Sequence, residues 1–205
     1  MKKPLICIIG RTGTGKSTIA RWMCEKYGLK QVRSYATRPM RPGEEKVSDH
    51  IFIKPEDVEK YRSEMAAYTR IGQYELFTTV AMLDQCDVYV IDPFGVGSLR
   101  KKIKDRPIYE IYVSVDQATT KKYLKARADT KEDSAARMKN EKKQFDAYEA
   151  LCSWDFLITN NGTFEEAQQQ VEQIMQAIIG NGPAHENDAI DREGDKHEDT
   201  SVDRR

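Results

Sequence analysis

The segment GRTGTGKS, residues 10–17, constrains what this chain can fold into more than any other stretch. It follows the short apolar run Leu5–Ile9 and leads directly into KSTIARWMCEKYG. There Ile19, Ala20, Met23, Cys24 and Tyr27 recur at helical spacing, and Gly28 supplies a residue suited to a left-handed C-terminal cap. The pattern G-x-x-x-x-G-K-[ST], with Gly10, Gly15, Lys16 and Ser17 in its fixed places, therefore stands in the strand–loop–helix context it requires. The glycines let successive backbone N–H groups curl around a phosphate chain, and the helix N-terminus adds the positive end of its dipole. Lys16 then reaches the outer phosphates, and the Ser17 hydroxyl can ligate Mg²⁺. Gly10, Arg11, Thr12, Gly13, Thr14, Gly15, Lys16, Ser17 and Thr18 are the expected seat of a Mg-nucleoside triphosphate; a glycine turn that binds nothing is the competing reading.

At 205 residues the chain is long enough to bury a proper core in one domain with small inserted subdomains. Lys plus Arg and Asp plus Glu both total 33, so the balance gives no reason to expect nucleic acid as a partner, and any basic site must be local. Cys7, Cys24, Cys86 and Cys152 are scattered, with neither a CxxC pair nor metal-ligand spacing. No apolar run approaches the roughly 20 residues of a membrane helix, and the opening MKKPLICIIG breaks too early for a signal peptide. A cytoplasmic protein without membrane contact is expected. From Asn181 to Arg205 the chain holds eight acids, four bases and almost nothing apolar, which predicts a disordered acidic tail. His185 and His197 lie in that tail, which weakens any reading based on a catalytic histidine.

Apolar runs at Leu5–Ile9, Val88–Ile91, Ile108–Val115 and Phe156–Thr159, each followed by a helical pattern, predict a parallel sheet covered by helices on both faces. One of those helices starts after Pro93, and the last spans about Thr163 to Ile178. Between the first two of these strands the rhythm changes. A short helix opening at Pro55 and short strands near Ala67–Ile71 and Tyr74–Thr78 predict a small mixed α/β insertion. Asp92, closing VYVID, is either a magnesium partner at a strand C-terminus or the cap of the helix at Pro93.

In RSYATRPMRPGEE, Arg38 and Arg41 stand three apart among prolines that forbid a helical salt-bridge face. Guanidinium forks in such a loop suit a phosphate monoester; ordinary solvated loop charges are the alternative. The residues Ser34-x-x-Thr37-Arg38-x-x-Arg41-x-Gly43-Glu44, then Asp49-His50-x-Phe52, resemble the monophosphate-binding signature of guanylate kinases, S-x-T-T-R-x-x-R-x-G-E followed by D-Y-x-F. VYVIDPFGV is similar to the family's I-D-x-x-G-V element, so the resemblance spans about residues 4 to 178.

The resemblance implies a P-loop three-layer α/β core over 1–34 and 81–180, a monophosphate-binding insertion over 35–80 and a helical lid near 127–140. It implies ATP-dependent phosphoryl transfer to a nucleoside monophosphate, GMP or dGMP, with Mg²⁺, by a monomer or homodimer. By the same resemblance Arg38 and Arg41 clamp the acceptor phosphate with His50, Tyr74 and Thr78 nearby, while Ser34 and Asp92 hold the base or the metal network. Arg127 and Arg137 match the lid arginines that close on the transferring group, against a plainer role as surface helix partners, and Asn160 falls where the donor adenine packs. The pattern departs at the positions that read guanine. His50 replaces a tyrosine, Ala67 stands where a glutamate is expected, and GQYELFTT replaces G-x-Y-Y-G-S/T, with Glu75, Leu76 and Phe77 as the new residues. Another phosphate ester, such as a different nucleotide or ribose 1,5-bisphosphate, or a phosphorylated protein partner held without catalysis, are the alternatives those departures leave open.

Overall fold

The computed structural model describes residues 2–40, 44, 48–116, 119–120 and 131–180, with the backbone alone for 131–140. Arg41, Arg127, the side chain of Arg137 and the tail expected over 181–205 lie outside the described residues. β1 (Leu5–Ile9) is buried along its whole length because it runs through the middle of a parallel sheet. Its neighbours are β6 (Val88–Val90) and β7 (Ile108–Ser114), and β8 (Phe156–Thr159) pairs with the far side of β7, giving the order β6-β1-β7-β8.

Alternate residues of β1 feed two cores. Leu5, Cys7 and Ile9 pack with Val96 and Leu99 of α3 (Pro93–Lys102) and with Phe145 and Tyr148 of α4 (Lys131–Leu151). Ile6 and Ile8 pack with Ile19, Ala20 and Met23 of α1 (Lys16–Tyr27) and with Val171, Ile174, Met175 and Ile178 of α5 (Phe164–Gly180). Helices therefore cover both faces, as the alternating pattern predicts. Gly28 ends α1 at φ 63°, its N–H donating to the Cys24 carbonyl. Among the described residues, no helix is long and apolar enough to cross a membrane.

A second sheet holds β2 (Ser34–Ala36), β3 (His50–Phe52), β4 (Met65–Ile71) and β5 (Tyr74–Thr79) in the order β3-β2-β5-β4. A 3-10 helix over Pro55–Glu64 and the short α2 (Val80–Asp84) complete the connections. Gly72, at φ 61°, makes the tight β4–β5 turn. Phe77 is buried against Tyr35 and Tyr61, with ring centroids 5.1 and 5.7 Å away. This aromatic stack is the insertion's own core and gives the large Phe77 side chain a packing role.

Several boundaries differ from the sequence expectation, among them the start of β4 at Met65 rather than Ala67. The β6 and β7 strands each end one residue early, and β2 opens at Ser34, which places Ser34 in the insertion sheet paired with His50. Strand ends are set by where pairing partners run out, which apolar runs do not encode.

Candidate functional site

Because all four core strands are parallel, the turns after β1, β6 and β8 emerge at one edge, the usual place for ligands in open sheets. There a cleft of about 660 Å³ opens between the core and the insertion sheet. Gly10, Thr12, Gly13, Thr14, Gly15, Lys16, Ser17 and Thr18 line one side, and Ser34, Arg38, His50, Ala67 and Thr69 line the other.

The loop after β1 is held from three directions. Gly15 takes φ 87° at the N-cap of α1, and a Cβ there would stand 2.6 Å from the Asn160 side-chain nitrogen. A Cβ on Gly10 would collide with the Val113 carbonyl of β7. The Asn160 amide donates to the Thr14 carbonyl at 2.9 Å, so this residue acts on the loop itself, whatever packs beyond it. Lys16 Nζ donates to the Arg11 carbonyl at 2.6 Å.

The third support comes from α4. Glu141 accepts from the Thr12 backbone N–H at 3.0 Å and from the Thr12 hydroxyl. The Arg11 guanidinium does not line the cleft; it forks onto Glu149 at 2.8 and 2.7 Å, reaches Asp146 at 2.7 Å and lies 5.5 Å over the Phe145 ring. Tyr112 also donates to Glu149. The Arg11 hydrogen bonds hold the Glu149 carboxyl below the usual glutamate range despite its partial burial. The composition of α4 gives a clue that sequence reading passed over: Glu141, Gln144, Phe145, Tyr148 and Glu149 fall on one helical face.

On the opposite wall Arg38 is almost fully buried. It forms a two-pronged pair with Glu44 at 2.8 and 2.7 Å, and its guanidinium stacks 5.0 Å from the Phe52 ring. A charge buried this deeply needs partners on most of its donors, and Glu44 pre-orients it toward the cleft. Ser34 Oγ and His50 Nδ1 share a hydrogen bond of 2.9 Å.

Asp92 is the cap of α3, one of the two roles expected for it, and it also faces the cleft. One carboxylate oxygen accepts from Gly95 N at 2.8 Å. Burial, reinforced by the negative charge of Glu141, raises its pKa, and the Gly95 and Phe94 amides and the Thr69 hydroxyl oppose that rise. Ser17, in the first turn of α1, presents a hydroxyl to the same cleft. Together they are hard oxygen donors of the type Mg²⁺ prefers, and the rise in the Asp92 pKa means that a cation there would relieve an unfavourable charge.

Two expected acceptor residues are elsewhere. Thr78 is fully buried and donates its hydroxyl to Met82 Sδ at 3.1 Å, because α2 folds back onto β5. Tyr74 sits at the hairpin turn, half-buried and outside the cleft lining. Phe77, expected to alter the acceptor pocket, faces the insertion core, and its neighbour Leu76 lines the cleft instead. Glu75 accepts from Arg62 at 3.0 Å and from the Tyr68 hydroxyl at 2.8 Å, which makes it a tie within the insertion.

A family model for guanylate kinase matches residues 1–178. The chain belongs to the guanylate kinase family. A protein of that name from Mycoplasmopsis pulmonis is 28% identical over 193 residues, covering 85% of this chain and 94% of that protein. Another from Legionella pneumophila is 27% identical, covering 83% of this chain and 84% of its own length. Among solved structures, guanylate kinase from Anaplasma phagocytophilum superposes with a TM-score of 0.60 at 19% identity over 85% of each chain, which supports the fold of this guanylate kinase family member.

Proposed function

We propose that the chain catalyses transfer of the γ-phosphoryl group of ATP to GMP, giving ADP and GDP. The observation that carries this reading is one continuous cleft with a phosphate loop on one wall and a buried arginine, Arg38, on the other. Hydrolysis by water needs no such arginine; a phosphate-bearing acceptor does. The family's name points to GMP as that acceptor.

In this account an oxygen of the GMP phosphate attacks the γ-phosphorus in line while the bond to the β–γ bridging oxygen breaks, and ADP leaves. Charge spreads over the equatorial oxygens of a loose transition state, so positioning and cations supply most of the catalysis without a general base. Lys16 and the amides of the 10–18 loop hold the donor phosphates. Arg38, oriented by Glu44, and Arg41 hold the acceptor phosphate, with Ser34 and His50 beside them. Ser17 and Asp92 would hold Mg²⁺, which when bound supplies charge neutralisation between the β- and γ-phosphates. Arg127 and Arg137, from a lid over about 127–140, would close on the transferring group and exclude water. A Lys16→Ala variant tests the donor half: transfer should fall about 10²–10³-fold with the melting temperature unchanged, and full activity would overturn the assignment.

A further inference from the structure

Three buried side-chain atoms among the described residues make no hydrogen bond: Gln31 Nε2, Thr69 Oγ1 and Gln144 Oε1. Gln31 lies outside the cleft lining. Gln144 stands on α4 beside Glu141 and Phe145, which touch the phosphate loop, so its orphan oxygen belongs to the donor side. Thr69 is different. It is 8% exposed, lines the cleft from β4, and shares a strand face with Ala67, two residues earlier.

Burying a hydroxyl without a partner costs roughly 1–3 kcal/mol, and such groups are rare in native proteins unless a ligand completes them. The Asp92 carboxylate lies near this hydroxyl, which helps hold that carboxyl's pKa down, but the two are not in normal hydrogen-bond geometry. A hydroxyl left without a partner keeps both oxygen lone pairs, and one of them can accept from an N–H of a ligand in the cleft. Ala67, buried at 1% exposure, offers that ligand only a methyl group.

We propose that Thr69 is a specificity residue that accepts a hydrogen bond from the N–H-bearing edge of the acceptor's guanine, doing from one pleat along β4 what Ala67 cannot. This rests on the guanylate kinase reading. The recognition is therefore by a neutral hydroxyl, which binds more weakly than a carboxylate, and a higher KM for the acceptor is its natural consequence.

The test compares wild type, Thr69→Val and Thr69→Ser in steady-state assays with Mg-ATP and GMP, following GDP. Valine keeps the shape and removes the hydroxyl; serine restores it. The expected result is a KM for GMP raised about tenfold in T69V, returned to within about twofold of wild type in T69S, with the KM for ATP unchanged in both. A GMP KM in T69V within about twofold of wild type, a parallel rise in the ATP KM, or no rescue by serine would overturn the role of Thr69 while leaving the reaction intact. Absence of GDP from the wild-type protein would overturn the guanylate kinase reading itself, and the Thr69 proposal with it.

Discussion

Lys16 spans the phosphate loop from α1 to the Arg11 carbonyl, and the loop's shape depends on glycines at places where a Cβ meets Val113 or Asn160. Such requirements are written directly into the sequence, which is why Gly10, Gly15, Lys16 and Ser17 were legible without coordinates. Side chains whose direction depends on a distant element were not. Thr78 matches its expected position in the chain yet turns into α2, so Thr78→Val should leave the KM for GMP within about twofold and change stability by less than about 1.5 kcal/mol, as steady-state kinetics and denaturant melts would show. A large KM change would return Thr78 to the acceptor site. Arg11 likewise belongs to the loop by sequence and to α4 by contact. Thr69 carried no signal in the sequence, because an orphan hydroxyl is visible only once its surroundings are known.

At the scale of elements, α4 is joined to the phosphate loop by charged contacts, Glu141 on Thr12 and Glu149 with Asp146 on Arg11. The Glu149 carboxyl is held below its ordinary range chiefly by Arg11. A depressed folded-state pKa contributes stability that is present above the ordinary glutamate value and lost as pH falls through the depressed one. Thermal stability should therefore decline between roughly pH 5 and 3, and Glu149→Gln should flatten that decline in a pH series of melting curves. An unchanged slope in the variant would show that this contact does not contribute. The main elements, including α1, the four parallel strands and the β4–β5 hairpin, were legible from period and punctuation. The α4 attachment was not, since a helix so rich in charge reads as a solvated face until Phe145 and Tyr148 are seen to anchor it.

For the molecule as a whole, the mixed insertion sheet stacks its own aromatic residues, joins the interior of the parallel core through Ala66 and Ala67 of β4, and faces that core across the cleft. That arrangement, two walls with phosphate-binding chemistry on both, follows from the order of motifs along the chain, and the family match over residues 1–178 agrees with it. The identity of the acceptor base was the least legible feature, because it depends on which residues of β4 and β5 face inward, a matter of strand register and of the irregularity between Met65 and Ala67. The central claim is that the acceptor across from ATP is GMP. Phosphorus NMR of Mg-ATP with GMP, dGMP and each other nucleoside monophosphate tests it most directly, with inorganic phosphate observed in the same spectra. The account predicts ADP and GDP in equal amounts, preference for the guanine nucleotides and little free phosphate. Equal use of all acceptors, preference for a non-guanine monophosphate, or release of inorganic phosphate without GDP would contradict it.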